Sequence, residues 1–157
     1  MSLRVVRQKY DSDCCVAALS CITGIPYPRC LQAAIRIGFR PNVQKGLHDG
    51  DLLDELKAPF DVTHFRKKYR IDRLSGVHHR SNFRVKWGLP RPGIHAFLTV
   101  PSLNRTNRGV GGGLVWHAVV AKDGEIMDPS PNIRYQSFAQ AWKVALGWTE
   151  YERVRHG

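Results

Sequence analysis

The sequence predicts an α+β fold, with a helical N-terminal half packed on a C-terminal antiparallel sheet. Three observations predict it. Cys14, Ala17, Ala18, Cys21 and Ile22 recur at helical spacing and draw one apolar stripe. Leu114-Val-Trp-His-Ala-Val-Val-Ala121 is a strand-like run followed by Lys122-Asp123-Gly124, and Asp-Gly suits the positive φ that a hairpin turn requires. Helical patterns gather before the strand patterns along the chain, which is the order of α+β rather than of alternating helices and strands.

The elements follow in order. Residues 1–12 read as an extended lead-in. Asp13 is positioned to cap a helix from Cys14 to Thr23. Gly24 stops that helix and Pro26 prevents its continuation. A second helix begins near Pro28, gathers Leu31, Ala34 and Ile35 on one face, and ends at Gly38. A third, short helix fits Asp51 to Lys57, with Asp49 or Asp51 at its start and Pro59 closing it. The charged stretch His64-Phe-Arg-Lys-Lys-Tyr-Arg70 has weak two-residue alternation and reads as a short strand with an exposed loop. Pro90 and Pro92 break the chain before a strand from Ile94 to Val100. Residues 101–113 form a loop ending in Gly109-Val-Gly-Gly-Gly113. That segment lacks the Gly-Lys-Ser/Thr of a phosphate loop, and reads as a connector or a lip beside His117. Glu125-Ile-Met127 returns antiparallel from the hairpin and stops at Asp128-Pro129. Phe138, Ala141, Trp142 and Ala145 share one side of a helix over 137–146, and Thr149 to Val154 is a last strand.

The chain has 157 residues, enough for one domain at roughly 100 to 200 residues each, and neither a repeat nor a Gly/Ser/Pro linker divides it. An apolar share of 43% excludes a disordered chain. The net charge of +11 bears on solubility and partners, not on the fold. No run approaches the roughly 18 apolar residues of a membrane span. Met1 to Gln8 is too polar for a signal peptide, so a cytoplasmic location is expected. Cys14, Cys15, Cys21 and Cys30 all lie in the first fifth of the chain. Their spacing does not suit a disulfide framework and fits reduced thiols. Paired Cys-x2-Cys or His-x3-His elements are missing, so neither a metal nor another cofactor is expected.

Cys14 begins a helix, where the positive end of the backbone dipole favours a thiolate. His117 sits in a strand a hundred residues on, and the base that serves a nucleophilic cysteine need not be near it in sequence. There it would take the thiol proton and return it to a leaving group. Asp128 lies just past the hairpin that carries His117, so an antiparallel return brings it beside the imidazole. Gln8 precedes Cys14 closely enough to lean its amide over the same place and, with the Cys14 N–H, to form an oxyanion hole.

The order Gln8, Cys14, His117, Asp128 resembles that of papain-like cysteine peptidases. The local wording is most similar to the double-glycine leader peptidases that mature bacteriocins, and to their stand-alone relatives. The matching pieces are Gln8-Lys-Tyr-Asp-Ser-Asp-Cys14 with Val16-Ala-Ala-Leu19, then Leu89-Pro-Arg-Pro-Gly-Ile-His-Ala96. Trp116-His-Ala-Val-Val120 running to Ile126-Met-Asp-Pro129, and Ser137-Phe138 to Trp142, complete the match. The resemblance covers nearly the whole chain. It implies a single papain-like domain over 1–157, with Cys14 as nucleophile, His117 as base, Asp128 as orienting residue and Gln8 as oxyanion donor. It implies cleavage of a peptide or isopeptide bond in a peptide or protein substrate. Where the family has glycine after the nucleophile this chain has Cys15, a side chain expected to crowd the substrate backbone. Transferases and deamidases are built from the same parts, so fold alone does not choose the reaction.

Other readings stand beside this one. A cysteine on an apolar stripe is more often a plain core residue, and Cys15 is the rival nucleophile to Cys14. The basic stretch holds Arg66, Lys67, Lys68, Arg70, Arg73, Arg80, Arg84 and Lys86, interleaved with Tyr69, His78, His79 and Phe83. It suits a solvated face, an acidic protein partner or substrate, or a phosphate-tracking groove for nucleic acid. No nucleic-acid-binding motif accompanies the charge. A scaffold that has lost catalysis and only binds, and an acyltransferase, are the alternatives to a peptidase.

Overall fold

A computed structural model describes residues 3–10, 12–41, 47–67, 84–86, 89–102 and 116–155. Its elements are α1 (Cys14–Thr23), α2 (Tyr27–Arg36), α3 (Asp49–Leu56), β1 (Phe60–Lys67), β2 (Arg84–Lys86), β3 (His95–Pro101), β4 (Trp116–Lys122), β5 (Glu125–Met127), α4 (Phe138–Val144) and β6 (Gly147–Arg153). The strands form one sheet in the order β2-β1-β6-β3-β4-β5. All neighbours are antiparallel except β1 and β2, which run parallel. The fold is α+β, as expected.

The sheet is not purely C-terminal. β1 comes before the midpoint of the chain and is eight residues long, not a short strand beginning at His64. It lies between β2 and β6 in the sheet. The glycine-rich segment 109–113 and most of the basic stretch, residues 68–83, lie outside the described residues.

Both faces of the sheet are covered. Phe97, Ala118, Val120 and Tyr151 join α1, α2 and α3 in one core, while Ala96, Leu98, Val100, Val119 and Ala121 join α4 residues in the other. Alternate residues of β3 and β4 therefore point into opposite cores, which is why these strands are apolar throughout. Trp148 of β6 stacks on Phe65 at 5.1 Å and meets Trp142 of α4 edge-on at 4.9 Å between ring centroids. Glu150, buried in the same strand, accepts from Trp148 Nε1 at 2.9 Å and pairs with Arg91 at 2.5 Å. That bond ties the proline-flanked lead-in of β3 to the sheet.

The expected stripe on α1 understates its burial. Every residue from Cys15 to Thr23 is buried, and Cys14 alone is partly open. A helix with small or apolar residues on all sides belongs inside a protein rather than on its surface. Gly24 ends it in the left-handed region at φ 78°, its N–H donating to Ser20 O. The Asp123-Gly124 turn, at φ 52° and 81°, closes the β4–β5 hairpin as the sequence requires.

One expectation about α1 fails. Asp13 occupies the N-cap position, but its carboxylate makes no capping bond to the helix. It turns back to accept from Lys9 N at 3.0 Å, from Tyr10 N at 2.9 Å, and from the Tyr27 hydroxyl.

Candidate active site

α1 carries Cys14 at its first turn, with the rest of the helix sealed in the core. β4 carries His117 as its second residue, paired in register with Val100 of β3. The hairpin returns through β5, and Asp128 follows its last residue. His117 Nε2 lies 2.6 Å from Asp128 Oδ1. The Cys14 thiol acts on the same imidazole and favours its protonated form. With Nε2 given to Asp128, Nδ1 is the nitrogen left for the sulfur. The structure thus joins three residues that the sequence scatters over more than a hundred positions.

Asp128 is held from both sides. Its Oδ1 also accepts from Ser130 N at 3.0 Å, and its Oδ2 accepts from Arg134 N at 3.0 Å and Tyr135 N at 3.1 Å. Burial pushes this carboxyl upward. The hydrogen bonds from His117 and from the backbone of Ser130 and Tyr135 outweigh burial, and its pKa falls to about 2. His117 shows the reverse balance. Burial favours the neutral ring, but the bonds to Asp128 and Cys14 prevail and raise its pKa to about 9.

Gln8 is brought to the same place. Its N–H donates to Pro129 O at 2.8 Å, and the Arg7 guanidinium donates to the Asp128 carbonyl. The Gln8 amide Nε2 donates to Tyr10 O at 2.7 Å, which fixes the side chain across the loop leading into α1. An amide nitrogen carries two hydrogens, and Tyr10 O takes one of them. The Cys14 N–H, in the first turn of a helix, has no intrahelical acceptor.

The other cysteines stand apart from this chemistry. All four are free thiols. Cys15 is turned into the core beside α3, so the expected crowding of a substrate by its side chain does not arise. Burial, and then the charge of Asp49, hold its pKa well above the usual thiol value. Burial likewise raises Cys21 and Cys30 to about 11. Only Cys14 is partly open.

Ser130 was not among the residues picked out by sequence. Its Oγ lies 3.3 Å from His117 Nε2, and its N–H closes a turn on Asp128 Oδ1. The signal was present, since an Asp two residues before an available N–H forms such turns readily. Arg134 and Tyr135 act through backbone N–H groups, which side-chain identity does not reveal.

A cavity of about 600 Å³ lined by Leu89, Arg91, Ile94, Ala121, Lys122 and Phe138 opens at the turn end of β4. Its lining on β4 begins at Ala121, roughly 13 Å along the strand from His117. Among the described residues no group of three or more His, Cys, Asp or Glu is arranged to hold a metal, and no helix is long and apolar enough to cross a membrane. No protein-family model and no curated protein matches the chain.

Proposed function

We propose that the protein is a papain-like cysteine peptidase, cleaving a peptide or isopeptide bond with Cys14 as nucleophile. The observation that carries this reading is the 2.6 Å contact of His117 with a buried, multiply bonded Asp128 while the same imidazole faces the one open thiol. A packing histidine requires neither an acidic partner nor an accessible sulfur. The likeness of the Gln8–Cys14 and His117–Asp128 segments to the double-glycine leader peptidases supports the same class.

In this mechanism the Cys14 proton passes to His117, and the sulfur attacks the scissile carbonyl to form a C–S bond. The negative oxygen is held by the Cys14 N–H and the Gln8 amide. The imidazolium gives its proton to the leaving amine and the C–N bond breaks. Water, deprotonated by His117, then attacks the thioester, releases the acid and restores the thiol. Asp128 keeps the ring oriented throughout. An amine in place of water would give acyl transfer. The basic charge of the chain favours an acidic peptide or protein substrate, because opposite charge speeds encounter.

A peptide-library digest with wild type and Cys14→Ala tests the reading. Discrete cleavage by the wild type alone is the expected result. Equal digestion by both, or none by the wild type, overturns it.

A further inference from the structure

We propose that Asp13 is a positioning residue that sets the oxyanion hole, a role resting on the peptidase reading above. The side chain is completely buried, yet it accepts nothing from the helix it precedes. Each oxygen is committed to the loop before the nucleophile. Oδ1 accepts from Tyr10 N at 2.9 Å, and Oδ2 accepts from Lys9 N at 3.0 Å and from the hydroxyl of Tyr27 in α2. Burial, and then the carboxylate beside it, push the Tyr27 phenol far up, so it remains a donor.

These bonds fix both donors of the hole from one residue. Tyr10, gripped through its N–H, presents the carbonyl that accepts from the Gln8 amide at 2.7 Å. The backbone of Asp13 leads directly into Cys14, and its carbonyl accepts the first helical bond, from Ala17 N at 3.2 Å. Its side chain therefore sets the Gln8 amide while its main chain sets the Cys14 N–H. Tyr27 braces the loop against α2. An ordinary cap would have bonded an N–H of α1 and left the N–H groups of Lys9 and Tyr10 without this acceptor.

Two reactions of Cys14 separate this role from plain support of the fold. Alkylation by iodoacetamide needs the thiol and the imidazole but develops no oxyanion. Acylation by the p-nitrophenyl ester of N-acetylglycine needs the hole as well. Asp13→Asn keeps the size of the side chain but faces the loop donors with an NH2 group. It is expected to lower acylation kcat/KM at least about ten-fold, because a displaced oxyanion donor costs up to roughly 100- to 1000-fold. The alkylation rate and its pH profile stay within about two-fold. In a Gln8→Ala background the same substitution adds little, since both act through one amide. Parallel loss of both reactions, unchanged acylation, or full additivity with Gln8→Ala overturns the role. If Asp13→Asn fails to fold, Tyr27→Phe removes one brace, and it is expected to slow acylation several-fold with alkylation unchanged; equal rates overturn the role. A wild type that alkylates at Cys14 but never acylates overturns the peptidase reading itself. A wild type that acylates as fast as Asp13→Asn overturns only the assignment of Asp13.

Discussion

Gln8 and Pro129 are joined backbone to backbone, with the Gln8 N–H 2.8 Å from the Pro129 carbonyl. This bond ties the segment before the nucleophile to the segment that holds the acid. A substitution that loosens the 128–130 turn is therefore felt at Gln8 as well as at His117.

Cys14→Ala is expected to abolish peptide cleavage while changing stability by less than about 1 kcal/mol, because the side chain is partly open and removes little packing. A thermal melt beside an activity assay checks this. A lost fold would show that the residue is structural.

Iodoacetamide at neutral pH is expected to label Cys14 first and alone in the folded protein. Cys15, Cys21 and Cys30 are buried and their thiols are held protonated, with the latter two at about 11. Peptide mapping by mass spectrometry after a short pulse reads the result. Uniform labelling only in denaturant would contradict it.

The pH profile has a definite sign. His117 must carry a proton to give to the leaving amine, so kcat/KM is expected to fall as pH rises through about 9. Its raised pKa also stabilises the fold below its ordinary 6.5, a contribution lost as pH climbs through about 9. Asp128, lowered from 3.8 to about 2, contributes above 3.8 and loses that contribution as pH falls through about 2. Both contributions are complete between about pH 4 and 6.5. The difference in stability between wild type and His117→Ala, read by denaturant melts, should be level from about pH 4 to 6.5 and shrink as pH rises to about 9.

Asp128→Asn is not a mild change here, although asparagine orients the histidine in related triads. The Asn oxygen can serve His117 and Ser130, but its NH2 then faces the N–H groups of Arg134 and Tyr135. Leaving the buried Tyr135 N–H without an acceptor costs about 1–3 kcal/mol. Loss of stability together with activity is expected, read by urea unfolding beside kcat/KM. Stability equal to wild type would show that the 134–135 bonds contribute little.

Much of this was legible in the residues, and the failures have physical causes. The α1 periodicity and the Asp123-Gly124 turn located the helix and the hairpin, because each is a local rule. The His117–Asp128 meeting followed from the hairpin register. Asp13 departs from the expected cap because an aspartate before a helix is a good cap only until something outside the helix competes for it. Here Lys9, Tyr10 and Tyr27 do so, and only the tertiary fold brings Tyr27 there. β1 is longer than the short strand expected from His64 because its charges obscure the alternation, and its pairing with β6 runs from Phe60 to Arg66. The crowding expected of Cys15 failed because the next residue along a helix points about 100° away.

Enclosure of α1 has a dynamic consequence. Fraying that frees one turn of a surface helix has no counterpart in an element walled in from Cys15 to Thr23. The amides of that element should exchange with deuterium only through cooperative opening of the entire domain, at the slowest rate in the molecule. Sulfur reactivity would then persist up to the melting temperature and vanish with it, instead of decaying ahead of the transition.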